Sequence, residues 1–190
     1  MIGRTSASSV EPAKNSTQIE KGYHLIVGVP SVDDYCRLRV SAGLSPKSEQ
    51  AAAAGLLNTL FGVLVLKADK VIGMGRVVGD NGLFYQVVDI AVEPEHQRRG
   101  LGKAIVGKIV DHLKQSAPAG AHVSLIADGL AHHLYAQFGF KPTAPDSIGM
   151  AFTIKRWSNP ARIKPGTGFE AKENKPTANG RRCTRIKRIY

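Results

Sequence analysis

The chain has 190 residues, of which 43% are hydrophobic and 22% charged, proportions ordinary for a globular protein. That is room for one domain with or without tails, and no window approaches the roughly 18 continuous apolar residues of a membrane span. The formal charge of +11 is unevenly spread, because residues 156–190 carry ten basic and two acidic side chains, and the nearly balanced remainder gives no charge argument for nucleic-acid binding.

Residues 1–21 are polar and rich in Ser and Thr, and read as a disordered lead-in without the apolar core of a secretory signal. A single domain is expected over 22–156. Residues 157–190 hold Pro160, Pro165 and Pro176 among Gly, Lys and Arg, and read as a flexible basic tail whose RRCTRIKRIY end is solvated rather than bound to nucleic acid. Cys36 and Cys183 are too few and too far apart for a metal site or a disulfide framework. Two free thiols fit a reducing compartment, so a cytoplasmic location and no metal are expected.

Tyr23 to Val29 reads as a first strand, stopped by Pro30. Ser31 followed by Asp33 and Asp34 is an N-cap with first-turn acids, which predicts a helix. Ser45-Pro46 predicts the start of a second, running through KSEQAAAAGLL. Phe61–Lys67 and Val71–Val78 form a hairpin pattern, and Asp80-Asn81-Gly82 is a turn signal before the long strand Leu83–Val92. Residues 101–115 put Leu101, Ala104, Ile105, Ile109 and Leu113 near one helical face. A strand at Val123–Ala127, a helix at Gly129–Phe138 and a last strand at Met150–Ile154 complete the pattern. Helices between strands in this mixed order indicate an α/β or α+β sheet.

The chemistry concentrates in VVDIAVEPEHQRRGLGKA, residues 87–104. Gln97-Arg98-Arg99-Gly100-Leu101-Gly102 leads from a strand into a helix. Glycines there let backbone approach a ligand closely, and the first N–H groups of the helix have no internal acceptors. Arg98, Arg99 and Lys103 add positive charge, so the segment reads as a pyrophosphate cradle. The dinucleotide fingerprint fails at Ile105, where it needs a third glycine, and the triphosphatase loop fails at Ala104, where it needs Ser or Thr.

With its preceding strand DIAV and Pro94, this segment resembles the Gcn5-related N-acetyltransferase family. So does Asp128-x-x-Ala131-x-x-Leu134-Tyr135-x-x-x-Gly139-Phe140, some thirty residues on. The resemblance covers roughly 23–155. It implies a central, mostly antiparallel sheet with a splayed parallel strand pair (83–92 and 122–127) and about four flanking helices. It implies acetyl-coenzyme A (acetyl-CoA) as cofactor, with the pyrophosphate on Gln97, Arg98, Arg99, Gly100, Leu101, Gly102 and Lys103. The pantetheine arm would run beside Ile90, Ala91 and Val92 and toward Asp128, Ala131 and Tyr135. Position 128 departs from the pattern, since relatives carry Asn where this chain has Asp128.

The implied reaction is direct transfer of an acetyl group to a primary amine. Tyr135 matches the family's acid position, and a phenol with an ordinary pKa of about 10 stays a proton donor at neutral pH. Asp89, alone among apolar neighbours, is the first choice for the base. Strict alternation sets it opposite Gln86, Val88 and Ile90, unless the strand is bulged. Glu93 and His96 read as loop groups, His132 and His133 as surface or core-edge groups, and Arg37 and Arg39 as either a carboxylate anchor or a solvated helix face. Phe61, Phe84, Tyr85, Gln86 and Met150 are the acceptor-pocket candidates, which suggests a small amine with an apolar or aromatic body. A peptide or protein acceptor and a non-catalytic acyl-CoA sensor are the alternatives. No membrane partner is expected, and a homodimer is carried as an option from the family.

Overall fold

The computed structural model describes residues 19–154. The chain divides into two units at Gly149/Met150, and the sheet and its helices belong to the first. The expected tail and most of the expected lead-in lie outside the described residues. Among the described residues no helix is long and apolar enough to cross a membrane.

Five strands form one sheet in the order β1-β2-β3-β4-β5: Tyr23–Val27, Phe61–Lys67, Lys70–Gly79, Phe84–Val92 and His122–Leu125. All neighbours are antiparallel except β4 and β5, which run parallel. Helices α1 (Val32–Ser41) and α2 (Glu49–Leu56) supply Tyr35, Leu38, Ala52 and Leu56 to a cluster with Leu64, Met74 and Ala91. Helix α3 (Leu101–Ser116) supplies Leu101, Ile105, Ile109 and Leu113, spaced by four, to a cluster with Val63, Val65, Val77, Tyr85 and Val87. The two clusters lie on opposite faces of the sheet. A second stripe of α3, Val106 and Val110, packs on Tyr135 of the short helix α4 (His132–Ala136).

Local chemistry explains most element ends. The Ser31 hydroxyl accepts from the Asp34 N–H, and one Asp80 carboxylate oxygen accepts from the N–H groups of Gly82, Leu83 and Phe84 at 2.9, 2.8 and 3.0 Å. Those backbone donors hold the Asp80 carboxyl below its usual range.

Three expectations are corrected. Helix α2 is capped by Ser48, which accepts from the Ala51 N–H at 3.2 Å, and not by Ser45. The Ser45 carbonyl instead accepts from Arg39 Nε at 2.8 Å, which holds 42–48 as a connector. The helix expected over 129–138 is a 3₁₀ turn at Gly129–Ala131 followed by α4. Met150–Ile154 forms no strand and is exposed.

The feature that organises the sheet is a bulge in β4. Met74 pairs with Ala91 and Arg76 with Val88, so Asp89 and Ile90 together oppose Gly75. The inserted residue inverts the parity of the strand. Before it, Tyr85 and Val87 face α3; after it, Ile90 and Val92 do, and Ala91 joins the α1/α2 cluster. Gly75 is required opposite the bulge, because a Cβ there would meet Ile105 Cγ2 at 2.5 Å and Ile90 Cδ1 at 2.6 Å. Gly75→Ala is expected to destabilise the protein by about 1–3 kcal/mol through overpacking, measured by denaturant unfolding. An unchanged midpoint would show that α3 does not lie this close.

Candidate active site

Parallel β4 and β5 pair only from Phe84/His122 to Val87/Leu125. Strand β5 ends two residues earlier than expected, and among the described residues β4 continues to Val92 without a neighbouring strand on that side. The two strands therefore splay, and the open edge of β4 at 88–92 forms one wall of a slot. The Glu93 N–H donates to the Ile72 carbonyl of β3 at 2.9 Å. Antiparallel alternation then turns the peptide groups of Val92 away from β3 toward that open edge. The Val92 carbonyl accepts from Gln97 Nε2 at 2.9 Å, which leaves its N–H facing the slot.

At the same end of β4, helix α3 begins. Its N-cap Gly100 has φ 76° and Arg98 has φ 60°, so the loop turns through two left-handed residues. A Cβ on Gly100 would meet nothing within 4 Å, so the backbone there faces open space. The N–H groups of Leu101, Gly102 and Lys103 belong to the first turn and have no helical acceptor, an arrangement that suits an oxyanion. Arg98 and Lys103 are exposed beside them. Arg99 is engaged by Glu20, at 2.9 and 3.1 Å to its two oxygens. The Gln97 side chain ties the loop to β4, so its observed contact is structural.

Tyr135 is buried against Val106 and Val110, with Ile90, Leu125, Ala127 and Ala131 packed around them, which sets it between the two splayed strands. With His132 it lines a cavity of about 360 Å³. Burial, and then the charge of Asp128, push the Tyr135 hydroxyl above its ordinary pKa, so it is a proton donor throughout the neutral range. Asp128 is exposed and makes no side-chain capping bond at the 3₁₀ turn that it precedes. His132 Nδ1 lies 2.9 Å from the Gly129 carbonyl, and His133 stands against the His132 ring.

Asp89 lies at the bulge with φ 57°, a conformation uncommon for a residue with a Cβ. One carboxylate oxygen pairs with Arg39 Nη1 and the other with Arg76 Nε at 2.9 Å, and all three side chains are nearly buried. The carboxylate has the partners that an acid in an apolar strand requires, and it faces α1. The bulge sets it on the face of Gln86 and Val88, where strict alternation had separated them. Glu93 is also buried, not a solvated loop charge: it pairs with Arg37 and, at 3.0 Å, with Lys70. Arg37 and Arg39 are accordingly internal ion-pair partners and not a free helix face. His96 bonds the Tyr23 hydroxyl at 3.1 Å. Glu93, Glu95 and His96 are near enough together to suggest a cation site, but Arg37 and Lys70 already meet the Glu93 charge.

The four acceptor candidates of the first unit do not come together. Tyr85 is in the core on the α3 face, and Phe61 stacks on His112 of α3 at 3.7 Å. Phe84 is exposed beside His122, Gln86 is half-buried on β4, and Met150 belongs to the second unit. The arginine missed on the other face had a readable signal: Arg76 interrupts the apolar strand VIGMGRVV as Asp89 interrupts VVDIAV.

Residues 59–142 match the family model described as an acetyltransferase (GNAT) domain. A solved structure from meticillin-resistant Staphylococcus aureus, of a protein of unknown function described as a probable acetyltransferase, is 45% identical. It superimposes with a TM-score of 0.67 over 70% of this chain and 99% of that one. GCN5-related N-acetyltransferase 2, chloroplastic, of Arabidopsis thaliana is 37% identical over 81 residues, 43% of this chain and 31% of its own length. Histone acetyltransferase TAP1 of Glycine max is 31% identical over 81 residues, 43% of this chain and 34% of its own length. The chain thus spans about a third of these two plant proteins.

Two substitutions separate cradle from clamp. A Cβ on Gly102 would meet only Leu134 Cδ2, at an ordinary 3.6 Å, so Gly102→Val is expected to fold. It should weaken coenzyme A binding by about ten- to a hundredfold in calorimetry, the equivalent of one charge-assisted hydrogen bond. Asp89→Ala leaves two buried guanidinium groups unpaired and should cost about 3–5 kcal/mol in denaturant unfolding. Wild-type values for either variant would remove the corresponding assignment.

Proposed function

This chain belongs to the Gcn5-related N-acetyltransferase family, and we propose that it transfers the acetyl group of acetyl-CoA to a primary amine of a small molecule. The observation that carries the reading is the junction at Val92, where the open edge of β4, the first turn of α3 and the wall holding Tyr135 meet. Acetyl-CoA, when bound, supplies an activated thioester. The first-turn N–H groups at Leu101 to Lys103 hold the diphosphate, with Arg98 and Lys103 adding charge. The open edge of β4 accepts the pantetheine arm as an added strand, and the Val92 N–H holds the acyl carbonyl oxygen.

Tyr135 gives its proton to the departing thiolate, for which a phenol kept protonated by burial is suited. Each Asp89 oxygen already accepts from a guanidinium, so Asp89 serves the bulge and the amine loses its proton to water. The cavity beside Tyr135 is of small-molecule size, which favours a small acceptor. The soybean relative's description as a histone acetyltransferase supports a protein acceptor as the second reading.

A screen of small amines and lysine peptides, with thiol release and product mass as readouts, tests both. Acetylated small amines support the first reading, and modified peptides alone would replace it. Coenzyme A binding without any product would make the protein a sensor. Tyr135→Phe should lower kcat by about ten- to a thousandfold with coenzyme A affinity retained. Because the Tyr135 pKa is raised, its deprotonation should cause no fall in activity until pH exceeds about 10. Wild-type turnover in Tyr135→Phe would take the acid role from Tyr135.

A further inference from the structure

On the face of the sheet opposite α3, a cavity of about 210 Å³ lies between α1, α2 and β3, lined by Tyr35, Lys47, Ala51, Gly55, Leu56 and Arg76 among others. It is smaller than a drug-sized pocket, so it suits one compact group. Its polar lining is cationic or hydrogen-donating, and among the described residues no acid lines it. Arg76 is 7% exposed. Its Nε is taken by Asp89, and its Nη1 by the Thr59 hydroxyl at 2.7 Å and the Gly55 carbonyl at 3.4 Å. Its Nη2 has no partner among the described residues. No fully buried side-chain nitrogen or oxygen among them lacks one, so Nη2 is not fully enclosed, and Arg76 is part of the cavity wall.

Tyr35 lies under the same guanidinium, with its ring centroid 5.3 Å from Arg76 Cζ. Burial and the Asp89 charge hold its hydroxyl protonated, and so a donor. Lys47 stands exposed at the rim. The cavity is next to the bulge in space, because Arg76 pairs with Val88 and bonds Asp89.

We propose that this cavity binds a compact oxyanion, a carboxylate or a phosphate ester, and that the acceptor is a small amine carrying one. The Arg76 guanidinium and the Tyr35 hydroxyl hold the anion and Lys47 supplements them. The inference rests on the acetyl-transfer reading for its amine end but not for its anion end. A cationic acceptor such as a polyamine is disfavoured by the same three groups.

The test uses three acetylated probes on the full chain: N-acetyl-β-alanine, N-acetylphosphoethanolamine and neutral N-acetylpropylamine, with binding followed by ligand-observed NMR. The corresponding free amines are assayed for turnover with acetyl-CoA. At least one anionic probe should bind about tenfold more tightly than the neutral one, as a hydrogen bond to a charged group predicts. Whichever does so identifies the oxyanion. Lys47→Gln should reduce that preference by about two- to fivefold, the range for an exposed charge pair, and Lys47→Arg should restore it. Equal binding of all three probes, or a preference untouched by Lys47→Gln, overturns the proposal. Anion preference with no turnover of any of the three amines upholds the cavity's anion assignment and overturns the small-amine acceptor.

Discussion

The grip of two guanidinium groups on one carboxylate governs this molecule. Asp89 occupies a left-handed conformation that costs roughly 1–2 kcal/mol for a residue with a Cβ. Arg39 of α1 and Arg76 of β3 hold it there, with one carboxylate oxygen each. The bulge so fixed reverses which residues of β4 face α3, and it delivers Val92 to the end of the strand with its N–H on the open edge. A carboxylate in an apolar strand would otherwise be expensive to bury, and pairing removes that cost only while both partners stay in place.

The two faces of the sheet consequently have different chemistry. On the α3 face lie the helix N-terminus, Tyr135 and the slot between β4 and β5, all suited to an anionic carrier and a leaving thiolate. On the α1/α2 face lie Tyr35, Arg76 and the small cavity they line. The splay of β4 from β5 opens the sheet between them. It arises simply: β5 stops at Leu125 while β4 runs on to Val92.

Much of this was legible in the residues. The hairpin and α3 were placed within a residue by apolar periodicity, the long strand by the Asp80 turn before it, and α1 by the Ser31 cap. Gly100 and Gly102 marked the cradle because a strand-to-helix turn with glycines leaves amides open. The acceptor side was misread. Phe61 and Tyr85 looked like pocket aromatics, yet strand parity turns both toward α3. The start of α2 was misread because Ser45-Pro46 and Ser48-Glu49 are both sound helix starts, and the Arg39 bond to the Ser45 carbonyl decides between them.

The sequence alone determined the order of most elements, the glycine-bearing turn from β4 into α3 and the candidacy of Tyr135, since each depends on neighbours within a few residues or on one helical period. Only the tertiary structure decided the role of Asp89, the burial of Glu93 and the composition of the cavity beside Arg76. These depend on charges some 13 to 56 residues apart, from Arg76 to Asp89 and from Arg37 to Glu93. A buried charge takes its meaning from whichever opposite charge the fold brings to it, and no local pattern records that partner.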